Sequence, residues 1–141
     1  MALPQLSLVA LTGEFAICRV GSDAPIPGWA TAGRFFSITR TPDELSIVCD
    51  QARVPDGLQC ERDWRCLRVA DSMPFSVVGV LASLCVPLAA AGIGIFAVST
   101  FDTDYLFVKT VDFEKAVDAL RAAGHHIDCN QPSSSRIGAP S

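Results

Sequence analysis

Positive charge is scarce and scattered in this 141-residue chain. Eleven Lys and Arg face 15 Asp and Glu, for a formal charge of -4, and the bases run from Arg19 to Arg136 without forming a stripe. Phosphate neutralisation needs clustered cations, so no nucleic-acid partner is expected. Histidine is almost as scarce, with His125 and His126 alone, and no G-x-S-x-G string occurs. Nucleophilic catalysis needs a positioned base beside its serine or cysteine, so no enzyme is expected. No basic residue precedes Arg19, and Glu14 comes earlier, so the start does not read as a secretory leader. The six cysteines are therefore expected to be reduced thiols in a cytoplasmic protein. Cys49 and Cys85 lie in apolar runs and read as small hydrophobes. Cys60 and Cys66, six apart around the charged string ERDWR, are the pair most open to linkage.

Charge is missing altogether from Ser72 to Phe101, 30 residues that are long enough to cross a bilayer. Pro74, Gly79, Pro87, Gly92 and Gly94 interrupt the run, and Ile93 to Val98 is β-branched and aromatic. Its flanks are Asp71 and Asp102, with no Lys or Arg belt. The segment reads as a helix, a turn and a strand buried in a soluble core, with no membrane partner.

Apolar periodicity supplies the elements. Phe113, Ala116, Val117 and Leu120 recur at i, i+3, i+4 and i+7, which predicts an amphipathic helix capped by Thr110 and closed by Gly124. Tyr105–Lys109 and His125–Cys129 read as strands around it, and Phe101–Asp104 as the turn back to a strand over Ile93–Ser99. Val77, Val78, Leu81, Leu84, Cys85 and Leu88 predict an earlier helix, kinked near Pro87, with Gly79, Ser83 and Pro87 on its opposite face. Trp64–Ala70 precedes it as a strand. Strand, helix, strand, strand, helix, strand is the split βαβ or ferredoxin-like order.

The first half repeats this pattern at an offset of 60, with Phe36, Ile38, Thr39, Glu44, Ile47 and Val48 matching Phe96, Val98, Ser99, Asp104, Phe107 and Val108. Its helices are replaced by stretches such as Ala24–Gly28 and Val54–Gly57. A Glu14–Val20 strand paired with Leu6–Leu11 is expected where the first helix would stand. The fold expectation is α+β: two ferredoxin-like (βαββαβ) units in tandem, a degenerate one over 1–62 and a regular one over 63–129, followed by a disordered tail over 130–141.

Two segments carry a family resemblance: GIGIFAVSTFDTDYLFVK over Gly92–Lys109 and FFSITRTPDELSIV over Phe35–Val48. Together they resemble the small bacterial proteins built of paired ACT domains, regulatory modules that bind amino acids or similar ligands between domains. The resemblance implies a non-enzymatic sensor without cofactor or metal, a small amino-acid-like ligand and a homodimer that covers its open sheet edges. It further implies that Gly79 and Val80 give backbone contacts, that Thr100 and Phe101 touch the ligand at the strand end, and that Asp104 holds a ligand nitrogen. Asp102 is then structural. In the first copy Arg40, Thr41, Pro42 and Asp43 replace the equivalent tip.

A physical argument stands beside the resemblance. A helix N-terminus at Pro74–Gly79 suits a carboxylate, and Gly79 allows close approach, while Asp102 and Asp104 suit an ammonium group. The same aspartates and threonines also serve simply as turn formers, or the module serves only as a protein-interaction unit. Gly92–Ala97 matches G-x-G-x-x-A, but it follows a helix and opens a strand, the reverse of a dinucleotide site. Adjacent His125 and His126 of a strand point to opposite faces and do not readily share a metal ion.

Overall fold

A computed structural model describes residues 3–70 and 78–129. The strands are β1 (Ser7–Ala10), β2 (Phe15–Val20), β3 (Phe36–Arg40), β4 (Leu45–Asp50), β5 (Gln59–Val69), β6 (Ile95–Ser99), β7 (Asp104–Lys109) and β8 (His126–Asp128). Among the described residues, two helices, α1 (Val80–Ala90) and α2 (Phe113–Ala122), complete the regular structure together with short 3-10 turns. Two compact units result among the described residues: Gly13–Trp64, and the residues before Gly13 together with those from Arg65 onward. The C-terminal unit is a split βαβ arrangement and the N-terminal one keeps that strand order without α-helices, so the α+β expectation holds.

In the C-terminal unit the strand order is β6-β7-β5-β1-β8. Leu67 and Val69 of β5, Leu106 and Val108 of β7, and Ile127 of β8 are buried on one face, against Leu84 and Leu88 of α1 and Ala116, Val117 and Leu120 of α2. The helix predicted from Phe113 onward packs through the face its spacing gave. It starts at Phe113 rather than being capped by Thr110, because Thr110–Asp112 forms a 3-10 turn whose Thr110 carbonyl accepts from the Phe113 N–H.

β1 corrects the expectation that Leu6–Leu11 pairs with Glu14–Val20. It lies between β5 and β8 instead, antiparallel to the first (Leu8 opposite Val69) and parallel to the second (Leu8 opposite Ile127). Burial is the reason: Leu6, Leu8 and Ala10 complete the core beneath α1 and α2. β2 is likewise no substitute for a helix. It is the first strand of the N-terminal unit, central in the order β3-β4-β2-β5.

That unit keeps the split topology but has short 3-10 turns, Gly28–Thr31 and Gln51–Arg53, where the other has helices. Its core is small, with Ala16, Cys18, Ala30, Leu45, Ile47, Cys49 and Val54 buried and Trp29, Ile38 and Leu58 packed against them. The Arg40 guanidinium holds the irregular Gly21–Pro27 stretch by donating to the Ser22 and Ala24 carbonyls.

The repeat offset is also corrected. β3 and β6, β4 and β7, and the turns beginning at Gln51 and Thr110 all stand 59 residues apart, not 60. The four-residue tips confirm the frame. Thr41 N–H donates to the Glu44 carbonyl at 2.9 Å, and Thr100 N–H to the Thr103 carbonyl at 2.8 Å. In both, the threonine hydroxyl accepts from the backbone N–H three residues on. Thr41-Pro42-Asp43-Glu44 therefore matches Thr100-Phe101-Asp102-Thr103, and the first tip keeps the threonine and the aspartate that the offset of 60 had removed.

The helix face read from the sequence needs a third correction. Ser83, assigned to the outer face of α1, is buried, while Val78, assigned to the inner face, is 68% exposed. Two bonds let a serine face inward. Its hydroxyl donates to the Val80 carbonyl at 2.7 Å. Its carbonyl lacks the usual i+4 donor, because residue 87 is proline and has no N–H. The ring of His125 supplies the missing donor, with Nε2 2.9 Å from the Ser83 oxygen. The Leu6 N–H donates to Nδ1 at 3.0 Å, which fixes the neutral tautomer with its proton on Nε2. A buried histidine thus joins α1 to the strand entering β1.

Candidate functional site

The sequence-derived candidates Gly79, Val80, Thr100, Phe101 and Asp104 all fall in the C-terminal unit, on two features. The first is the start of α1. Gly79 is its N-cap, at φ +87°, a conformation that favours glycine, and no side chain caps the helix there. The side of Gly79 where a Cβ would project faces Leu3, whose Cδ2 would lie 3.0 Å from it. The Val80 side chain is buried in the core, so this residue has only backbone to offer a ligand. Pro74 and the rest of the expected helix start lie outside the described residues.

The second feature is the β6–β7 hairpin tip. Phe101 is 82% exposed at its apex. The Thr100 hydroxyl is committed to the turn, donating to the Thr103 carbonyl at 2.9 Å. Asp104 is the first residue of β7, half-buried and opposite Ser99. Thr103, which was not among the candidates, fixes the tip: its hydroxyl donates to the Val69 carbonyl at 2.8 Å. Val69 ends β5, from which the chain leads toward α1, so the tip is anchored beside the strand end that feeds the helix. Sequence carried no signal for this bond, which spans 34 residues.

Electrostatics mark the neighbouring sheet face. Burial pushes the Tyr105 hydroxyl above its usual pKa, with Asp102 and Cys66 adding to the effect and Arg68 opposing it. Tyr105, Arg68 and Asp102 therefore form a polar group next to the tip. On the helix-covered face the Arg65 guanidinium lies over the Phe113 ring, 4.1 Å from its centroid. With Glu114, Asp118 and Arg121 it borders a groove of about 470 Å3. Among the described residues, no group of three or more His, Cys, Asp or Glu is disposed to hold a metal ion. No described helix is long and apolar enough to cross a membrane.

The C-terminal unit thus has split βαβ topology, a start of α1 with no side-chain cap at Gly79, and a hairpin tip that bears Thr100, Asp102, Thr103 and Asp104. A family model for the ACT domain matches residues 59–122. A second, for an N-terminal domain, matches 13–57. Residues 59–122 of the chain are thus matched to the ACT domain. Its fold is similar to the crystal structure of protein Atu0741 from Agrobacterium tumefaciens, with a TM-score of 0.87 and 42% identity over 92% of this chain and 96% of that one. It also resembles the regulatory subunit of aspartate kinase from Thermus thermophilus, at a TM-score of 0.58 and 14% identity over 87% and 99% of the two chains. The human cytosolic arginine sensor for mTORC1 subunit 1 is 28% identical over 111 residues, 73% of this chain and 33% of the sensor. The chain thus spans about a third of that relative.

Proposed function

We propose that this protein is a non-enzymatic regulatory sensor. It binds a small amino-acid-like ligand at the hairpin-tip end of the C-terminal sheet, acts in the cytoplasm and works as a homodimer. One observation carries the site: in the 59-residue frame Asp104 aligns with Leu45, the buried first residue of β4. Packing is satisfied by leucine at that position, so a half-buried aspartate there has a use other than the core. Its carboxylate is suited to a ligand ammonium or side-chain nitrogen, and the uncapped N–H groups of α1 to a ligand carboxylate. Gly79 and Val80 contribute backbone, Thr100 shapes the tip and Phe101 supplies an exposed ring.

The ACT-domain match supports an amino-acid ligand, as does the likeness to a protein named for arginine sensing. The test is a thermal-shift screen against the common amino acids. A ligand at 100 times its Kd stabilises by about 2.7 kcal/mol. A flat response at millimolar concentrations refutes the sensor reading and leaves a ligand-free interaction module.

A further inference from the structure

Three thiols lie on one face of the N-terminal unit: Cys18 on β2, Cys49 on β4 and Cys60 on β5. Register decides which of them can meet. Cys18 stands directly opposite Cys60 across the antiparallel β2–β5 ladder. Directly opposed residues have Cα atoms about 4.5 to 5.5 Å apart, inside the range of about 4.4 to 6.8 Å that a disulfide spans. Cys49 is opposite Ala16, hence diagonal to Cys18, whose own partner on β4 is Ile47. A diagonal pair stands about 7 to 8 Å apart and does not bridge without backbone movement. Cys60 and Cys49 are on strands either side of β2 and offset by two residues along them, roughly 12 Å apart. The pair suspected from sequence, Cys60 and Cys66, shares one strand and lies roughly 20 Å apart.

We infer that Cys18 and Cys60 form a redox-responsive pair that hydroperoxides close into a cross-strand disulfide. Cys60 is the more exposed of the two and reacts first. Its thiolate attacks the peroxide, the O–O bond breaks, and Cys60 sulfenic acid and water result. The Cys18 sulfur, giving up its proton, then attacks the Cys60 sulfur. An S–S bond forms, the S–O bond breaks, and the hydroxyl leaves as a second water. Two thiols are oxidised by two electrons in all, and one hydrogen peroxide is reduced to two waters. Burial, with the adjacent Cys60 and Cys49 thiols, pushes the Cys18 thiol up to about 12, so the second step accelerates as pH rises. The product ties the first strand of the unit to its last.

The whole chain is treated with a small molar excess of hydrogen peroxide, unfolded, alkylated and mapped by mass spectrometry. The expected product is a Cys18–Cys60 linked peptide, two hydrogens lighter than its reduced parts, with Cys49 alkylated. C49S still forms the link, while C60S and C18S do not. The oxidised protein melts higher by on the order of 5 °C or more, as a closed loop of this length implies. If C18S does not fold, C60S at its half-buried position decides alone. Full alkylation of all thiols after peroxide, a Cys18–Cys49 link, or Cys60 driven to sulfinic acid without a link each overturns the inference.

Discussion

His125→Ala tests whether the buried imidazole is held in place by a proline one helix away. The substitution removes the acceptor of the Leu6 N–H and the donor to the Ser83 carbonyl, both buried bonds of about 3 Å. An orphaned buried polar group costs about 1 to 3 kcal/mol, and the lost ring adds a cavity, so a destabilisation of about 3 to 5 kcal/mol is expected. The specific claim concerns Pro87. In a Pro87→Ala background residue 87 has an N–H that donates to the Ser83 carbonyl along the helix, so His125→Ala then orphans only the Leu6 amide. The cost of His125→Ala should fall by about 1 to 2 kcal/mol, the worth of one orphaned carbonyl. Urea unfolding of the four proteins gives this coupling directly. Additivity within about 0.5 kcal/mol refutes the reasoning, because independent sites add to that precision.

Asp104→Ala should abolish ligand-induced stabilisation and weaken binding tenfold or more, the loss of a charge-assisted bond worth about 1.5 to 3 kcal/mol. Asp102→Ala, two residues away, should leave affinity unchanged, and equal calorimetric affinities for wild type and Asp104→Ala refute the site. Thr103→Val should cost about 1 kcal/mol in urea unfolding through its bond to Val69, with Thr103→Ser nearly neutral. Light scattering should give a mass of twice 15.0 kDa at micromolar concentrations, and a monomer mass rejects the dimer. Stability should fall as pH rises above about 9: burial first of all holds the Cys18 and Cys49 thiols at about 12 and about 11 in the fold. The unfolded chain therefore releases its thiol protons earlier and gains at alkaline pH, so urea midpoints that stay level from pH 7 to 10 count against the buried thiols.

Legibility followed the range of the interactions. The β6–β7 hairpin, α2 and β8 could be read because their signals are local: alternation, a 3.6-residue period and four-residue turns. α1 was found with Leu84 and Leu88 rightly turned to the core, but its face was misjudged at Ser83, since a serine reads as outward-facing unless its hydroxyl folds back on Val80 and a histidine 42 residues on meets its carbonyl. The repeat was visible but slipped by one residue. Matching aromatic and β-branched types at 60 outweighed the turn chemistry of Thr41 and Thr100, whose identical bonds set the frame at 59. Of the candidate site, the hairpin tip was legible as a turn from its threonines and aspartates, its ligand roles came only from the family resemblance, and the Thr103 anchor had no sequence signal. β1 had no readable destination, because a four-residue apolar strand fits many edges.

The position of β1 has a consequence for synthesis. Its parallel partner pairs Leu8 with Ile127, among the last described residues to leave the ribosome. β1 must therefore wait, unpaired on that side, until β8 has emerged, although its pairing with β5 closes earlier. A fragment cut to the ACT match at residues 59–122 would contain neither β1 nor β8, and its sheet would end at β5 with a buried strand turned into an exposed edge. The C-terminal unit is continuous in space but not in the order of translation, and its completion is a late event.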